Sequence, residues 1–223
     1  VHIVFHSIPI HEVTFALLSD AAFYSKTEEE KPMQGKLIFA TSTKFALHRP
    51  APLSQICGSA TNIKRTARST LSAEVYARSN GLDELSWVRF MWVILLWGSD
   101  WCKPAQVVAQ AKPAVTVTDC KSMFDIVTRN ATPNCEEHRT ALECLLIKER
   151  VAENVIFQWV PTYHMLSDVL TKPMEATLLR KVLAVGQFSL HDEDTVLRTL
   201  GAEREQKSLA LRTKAEKNRP QVL

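Results

Sequence analysis

No stretch of this 223-residue chain is apolar for long enough to cross a bilayer. The most apolar run, Trp87 to Trp97, is short and carries Arg89, whereas a membrane helix needs roughly 20 apolar residues. No basic N-terminal region precedes a cleavable apolar segment, so neither a membrane nor a secretory destination is expected. The five cysteines, at 57, 102, 120, 135 and 144, include no close Cys-x-x-Cys pair. That argues against a disulfide framework and a zinc site, and for a reducing, intracellular setting with cytoplasm and nucleus both open. A glycine-rich phosphate loop and internal repeats are missing too, which excludes that kind of nucleotide cradle and a solenoid.

Acidic residues are absent from Lys31 through Ala73, although Lys31, Lys36, Lys44, Arg49, Lys64, Arg65 and Arg68 all lie there. Such a stretch can grip a phosphate backbone, but solvated strand edges guarded by lysine look the same. Net charge adds little. The formal +3 resides in residues 201–223, which hold six Lys/Arg against three Glu, and residues 1–200 carry 21 of each sign.

What is present suits one well-filled core: 46% hydrophobic and 23% charged residues are ordinary for a globular domain. Val13 to Leu18 reads as a buried strand ending at Ser19-Asp20, and Gly35–Ala40 and Leu53–Ile63 supply two more strands. From Ser69 the spacing turns helical, with Ser69 or Thr70 as cap and Gly81 expected to break or kink the helix before a core segment from Leu82 to Trp97. Pro113–Thr118 is a fourth strand delivering Asp119, followed by a short helix from Cys120 to Thr128. A helix from Glu136 to Glu153, a strand from Val155 to Val160 and a helix from Met165 complete the set. The order β-β-β-α-α-β-α-α-β-α predicts an α/β domain whose mixed sheet joins an antiparallel meander to parallel strands. We expect an N-terminal extension over 1–12, the main domain over 13–175, a helical extension over 176–200 and a charged tail over 201–223, helical or disordered.

Four acidic residues fall where these elements begin or end. Asp20 ends the first strand, Glu74 sits in the first long helix, Asp119 ends the fourth strand, and Asp168 opens a late helix. Taken singly, each has a plainer explanation: a turn, a solvated helix face, a cap, a favourable first-turn charge. Their surroundings change the weighing. Leu18-Ser19-Asp20-Ala21, Ser69-Thr70-Leu71-Ser72-Ala73-Glu74-Val75-Tyr76, Thr118-Asp119-Cys120-Lys121-Ser122, and Val160-Pro161-Thr162 followed by Leu166-Ser167-Asp168-Val169-Leu170-Thr171-Lys172-Pro173 occur in that order. Together they resemble the ribonuclease H domain of copia-type retrotransposon polyproteins, over roughly residues 13–175.

The resemblance implies a ribonuclease H-like fold with a five-stranded mixed sheet flanked by helices. It implies that Asp20, Glu74, Asp119 and Asp168 bind two Mg²⁺ ions, for which Mn²⁺ can substitute. Asp20 would bridge both ions, Glu74 and Asp119 would complete one site, and Asp168 would help hold the ion beside the attacking water. Hard carboxylate oxygens suit Mg²⁺, and a metal pair can generate a nucleophile and relieve charge on a phosphodiester without any side-chain nucleophile. The substrate would be the RNA strand of an RNA/DNA hybrid, cut to leave a 3′-hydroxyl and a 5′-phosphate.

Lys64, Arg65, Arg68, Lys121 and Lys172 are the candidates for phosphates, and Ser69 and Ser122 for ribose hydroxyls. His164, four residues ahead of Asp168, is a candidate for moving a proton or aiding product release, and equally for a solvated turn histidine. Trp87, Trp92 and Trp97 are read as core packing rather than base stacking.

The chain departs from the family at Asp20-Ala21-Ala22-Phe23, where a second acid and a Trp are usual, and around Glu137-His138-Arg139-Thr140, where a His-x-Asp segment is usual. Neither departure removes a ligand. A Tyr-x-Asp-Asp sequence is missing, so the polymerase domain that would be its partner in a polyprotein is not in this chain, which reads as a fragment or a diverged copy. A catalytically inactive, nucleic-acid-binding or structural relic is the alternative. An integrase-like nuclease ranks lower, since its carboxylates run Asp, Asp, Glu and here the Glu comes second.

Overall fold

The computed structural model describes residues 2–23, 31–98 and 111–190. Strand β1 (Val13–Ala22) is buried along all ten residues because it sits in the middle of the sheet with both faces covered. It pairs antiparallel with β2 (Met33–Ser42), which pairs antiparallel with β3 (Ala51–Asn62). On the other side, β4 (Ala114–Thr118) runs parallel to β1, and β5 (Val155–Trp159) parallel to β4. The order β5-β4-β1-β2-β3 joins an antiparallel meander to two parallel strands, the mixed α/β sheet expected from the sequence.

The alternation of side chains along β1 builds two cores. Phe15 and Leu17 face a cluster with Val75, Leu82 and Leu85 of helix α1 (Thr70–Trp97), Met123 of α2 (Lys121–Thr128) and Ile147 of α3 (His138–Ala152). Ala16 and Leu18 face the opposite cluster, where Met165 and Leu166 join Leu179, Val182 and Leu183 of α4 (Thr177–Val185). Near the N-terminus, the Val4 amide donates to the Leu183 carbonyl at 2.9 Å and His6 Nε2 lies 2.8 Å from the Val185 carbonyl.

The sheet has six strands rather than five. Strand β6 (Gln187–Phe188) pairs with Ala51 and Pro52 at the start of β3. Two residues are too few to show an alternation, so no sequence pattern announces it.

The expected break at Gly81 is not there either, because α1 is one helix of 28 residues. A Cβ at position 81 would lie 3.0 Å from both terminal carbons of Leu17, so glycine here lets the helix lie close on β1. The helix starts as expected at Ser69, whose hydroxyl accepts from the Ser72 amide while Ser72 reaches back to the Ser69 amide.

Among the tryptophans, Trp92 packs edge-on against Phe15 at 5.9 Å, but Trp87 and Trp97 are each 59% exposed, contrary to the expectation of core packing. Five residues of α-helix rotate a side chain well away from its starting face, so the three cannot all point inward. Among the described residues no helix is long and apolar enough to cross a membrane. The expected tail, residues 201–223, lies outside the described residues.

Candidate metal centre

The β1–β4 ladder runs only from Ala16 opposite Val115 to Leu18 opposite Val117. Asp20 lies two residues beyond the last pair on β1, and Asp119 follows the last residue of β4. Glu74, in the second turn of α1, reaches the same place, and the three side chains each offer an oxygen within 4.8 Å of the others. Asp20 and Glu74 are buried. The Ala21 amide donates to Glu74, yet its Oε2 is buried with no hydrogen-bond partner among the described residues. Burial, then the charges of Asp20 and Asp119, push the Glu74 carboxyl well above its ordinary range. Asp119 is raised for the same reasons, partly offset by Lys172 and by a hydrogen bond with Thr162. Three hard oxygens converging in a buried place, with an unsatisfied oxygen on one of the carboxylates, form a donor set that fits a divalent cation.

Asp168 stands beside this triad but not on the helix expected from Met165. The chain there makes two short 3-10 turns, Thr162–His164 and Asp168–Leu170. The second is held by contact with β2. Gly35 is the cross-strand partner of Asp20, and a Cβ on it would lie 2.7 Å from Leu170 Cβ and 2.9 Å from Thr171 Cγ2. A bare backbone is therefore required for the turn to rest on the sheet, where the Thr171 hydroxyl donates to Asp20 Oδ2. Gly35→Ala is expected to lower stability by about 1–3 kcal/mol through overpacking, read as a lower thermal midpoint. An unchanged midpoint would mean that the turn gives way freely.

Burial, then Asp20, push the Asp168 carboxyl up to about 6, against the pull of Lys172. A carboxyl raised on folding holds its proton more tightly in the native state, so its unfavourable contribution is full above about pH 6 and fades as pH falls towards the ordinary value of about 4. In the presence of a chelator, Asp168→Asn should therefore be more stable than wild type by about 1–2 kcal/mol at pH 7.5, once solvent screening is allowed for. That gain should shrink through this window, as thermal unfolding at several pH values would show.

A residue that the sequence reading passed over lies behind the triad. Arg78, one helical turn past Glu74, is fully buried. Its guanidinium donates to the Thr116 hydroxyl, to the Ser19 carbonyl at 3.1 Å and to the Val117 carbonyl, with the Phe157 ring centre 5.7 Å away. It thus bridges β1 and β4 just where their ladder stops. Burial lowers its pKa to about 10, held there by Glu74 and Asp119, so it is charged at neutral pH. The signal was an arginine on the same face as Val75, Leu82 and Leu85, a charge where the helical period calls for an apolar residue.

The remaining candidates are placed as follows. Lys64, Arg65 and Arg68 are exposed on the loop entering α1, with Arg65 paired to Glu143 and its guanidinium 5.5 Å from the Tyr76 ring centre. Ser69 is occupied as the cap of α1. The Lys121 ammonium lies 4.8 Å from the Phe124 ring centre and 3.4 Å from Asp125, and Ser122 is exposed with its hydroxyl 3.3 Å from Cys120 Sγ. Lys172 sits among the carboxylates. The His164 ring rests against Tyr163 at 4.7 Å and Phe188 at 6.0 Å, and Phe188 pairs with Ala51 at the other end of the sheet from Asp20.

No family model and no curated protein matches the chain. Solved structures do. The chain is similar to the N-terminal RNase H domain of a Mycobacterium tuberculosis protein, solved as a fusion with maltose binding protein, at 14% identity and a TM-score of 0.44, covering 70% of this chain and 94% of that one. It is similar to RNase H1 of Halobacterium salinarum at 11% identity and 0.47, covering 70% and 92%. LC11 RNase H1, crystallised in complex with an RNA/DNA hybrid, gives 14% identity and 0.47, covering 74% and 99%.

Proposed function

We propose that this domain is a metal-dependent nuclease of the ribonuclease H type that cuts the RNA strand of RNA/DNA hybrids, and that it belongs to or derives from a copia-type retrotransposon polyprotein. The observation that carries the proposal is the buried meeting of Asp20, Glu74 and Asp119, with an unsatisfied Glu74 oxygen and with Asp168 beside them. In chain order and local sequence these four match the carboxylate motifs of that family.

Asp20, Glu74 and Asp119 would hold divalent cations, in our reading two Mg²⁺, with Asp168 completing the set. Bound there, such ions supply an activated water and offset the charge that builds on the phosphodiester. The protein's own part is to hold the carboxylates apart and in place. Thr171 orients Asp20, the Ala21 amide orients Glu74, and Thr162 orients Asp119. The exposed Lys64 and Arg68 lie on the loop leading to α1 and would meet phosphates on either side of the cut. In a polyprotein a reverse transcriptase domain would share the hybrid with this one.

The test is incubation of the purified chain with an RNA/DNA hybrid labelled on each strand in turn, with Mg²⁺, with Mn²⁺, and with a chelator. Cutting confined to the RNA strand, leaving 3′-hydroxyl ends and stopped by the chelator, is the expected result. A folded chain that binds the hybrid but leaves it intact under all three conditions would replace this reading with that of an inactive relic.

A further inference from the structure

The most telling side chain in the cluster is a cation. Lys172 Nζ lies 3.0 Å from Asp168 Oδ1 and 3.4 Å from Asp20 Oδ1, while the neighbouring Thr171 hydroxyl holds the other Asp20 oxygen. Its backbone is pinned, since the Lys172 amide donates to the Asp168 carbonyl at 2.9 Å and the turn rests on Gly35. Its side chain is not enclosed: 36% of it is exposed, so the flexible stem has a way out to solvent. Asp20 offers no such choice, being wholly buried. A carboxylate so placed needs a positive charge beside it at all times, whether or not a metal is bound.

An ammonium placed on Asp20 Oδ1 and Asp168 Oδ1 takes up the lone pairs and the space that an entering divalent cation would use, so the two compete for the same oxygens. We infer that Lys172 is the resident counter-ion of the metal-free site, displaced from Asp20 and Asp168 when a divalent cation enters and turned outward to where it meets a phosphate of the nucleic acid. The inference rests on reading the cluster as a divalent-cation site and deepens that reading. It makes Lys172 a positioning residue that competes with metal in the empty site and favours substrate in the filled one. Metal and nucleic acid then bind with positive coupling, each strengthening the other.

The experiment uses the full chain, stripped with chelator, and Mn²⁺ alone as the probe. Mn²⁺ affinity is read by calorimetry or electron paramagnetic resonance, beside thermal unfolding with and without Mn²⁺, for wild type, Lys172→Met and Lys172→Arg. Removing the competing cation is expected to tighten Mn²⁺ binding about ten-fold, the equivalent of one pK unit of competition, while the metal-free protein unfolds at a lower temperature. The rise in midpoint on adding Mn²⁺ should grow accordingly. Lys172→Arg keeps the charge and should stay near wild type.

A merely structural lysine would weaken stability and metal binding together, so the opposite signs are diagnostic. Unchanged or weaker Mn²⁺ binding in Lys172→Met overturns the inference and leaves the metal site standing. Absence of Mn²⁺ binding in wild type overturns the metal-site reading itself. Should Lys172→Met fail to fold without metal, Lys172→Gln, which keeps a polar head among the carboxylates, carries the same comparison.

Discussion

Asp119→Asn is expected to abolish metal-dependent cleavage of the RNA strand while leaving the metal-free fold as stable as wild type or more so. Losing even a partner that merely orients a metal ligand costs about 10–100-fold, so losing a ligand should cost about 100-fold or more. Stability should move the other way. Asp119 is raised by burial and by the charge of Asp20, which means that its ionised form is unfavourable in the folded protein. Asparagine keeps the shape, can still accept from Thr162, and removes one of the mutually repelling charges. Asp20→Asn should behave alike, because an amide oxygen can still accept the Thr171 hydroxyl. The measurements are hybrid cleavage with Mg²⁺ or Mn²⁺ and thermal unfolding with a chelator. In addition, the stabilisation that metal confers on wild type should be lost in both variants. Marked unfolding of both variants without metal would instead assign the two aspartates a capping or structural role.

Arg78→Met should do the reverse, lowering the stability of the metal-free fold strongly. Its guanidinium satisfies the Ser19 and Val117 carbonyls and the Thr116 hydroxyl inside the core, and its charge offsets Glu74 and Asp119. Removing one partner of a buried charge arrangement costs about 3–5 kcal/mol, because the groups left behind have no water to turn to. For a domain of this size that corresponds to a fall of roughly 10 °C in the thermal midpoint. Because methionine fills nearly the same volume, the loss would come from charge and hydrogen bonds rather than from a cavity. A variant that melts within about 2 °C of wild type would show that these carbonyls find other partners.

The contrast between the two substitutions describes how the site is built. Carboxylates crowded for a ligand weaken the fold that carries them, and cations behind and beside them restore it. Arg78 does this from the core, fixed by three hydrogen bonds, and Lys172 from the rim, where it can leave. Gly35 contributes by lacking a side chain, which brings the Asp168 turn down onto the strand pair that holds Asp20.

How much of this could be read from the chain itself depends on whether the cause was local. Strands β1 to β5 were legible because a short apolar string bounded by turn residues is a local pattern, and α1 began at Ser69 because a cap is a matter of neighbouring residues. Asp20, Glu74 and Asp119 were singled out by motifs a few residues long, and the fold brings them together. Asp168 was found by the same means, but its turn was not: seven residues with helical spacing are also compatible with a single 3-10 turn, and contact with Gly35 decides between helix and turn.

The same division runs through the rest. The expected break at Gly81 came from glycine's low helix propensity, which packing against Leu17 overrode. Strand β6 exists only because the end of α4 delivers two residues to an open edge of β3. Lys172 looked like one more phosphate contact and Arg78 was passed over, until the fold set Lys172 beside Asp20 and brought the charges of Asp119 and Asp20 to Arg78. By itself, then, the sequence determined the elements and the carboxylates, since propensity, alternation and capping act over a few residues. The register of the turn, the continuity of α1 and the identity of the counter-charges were decided by tertiary structure, because burial and Coulomb energy depend on distance in space and not on distance along the chain.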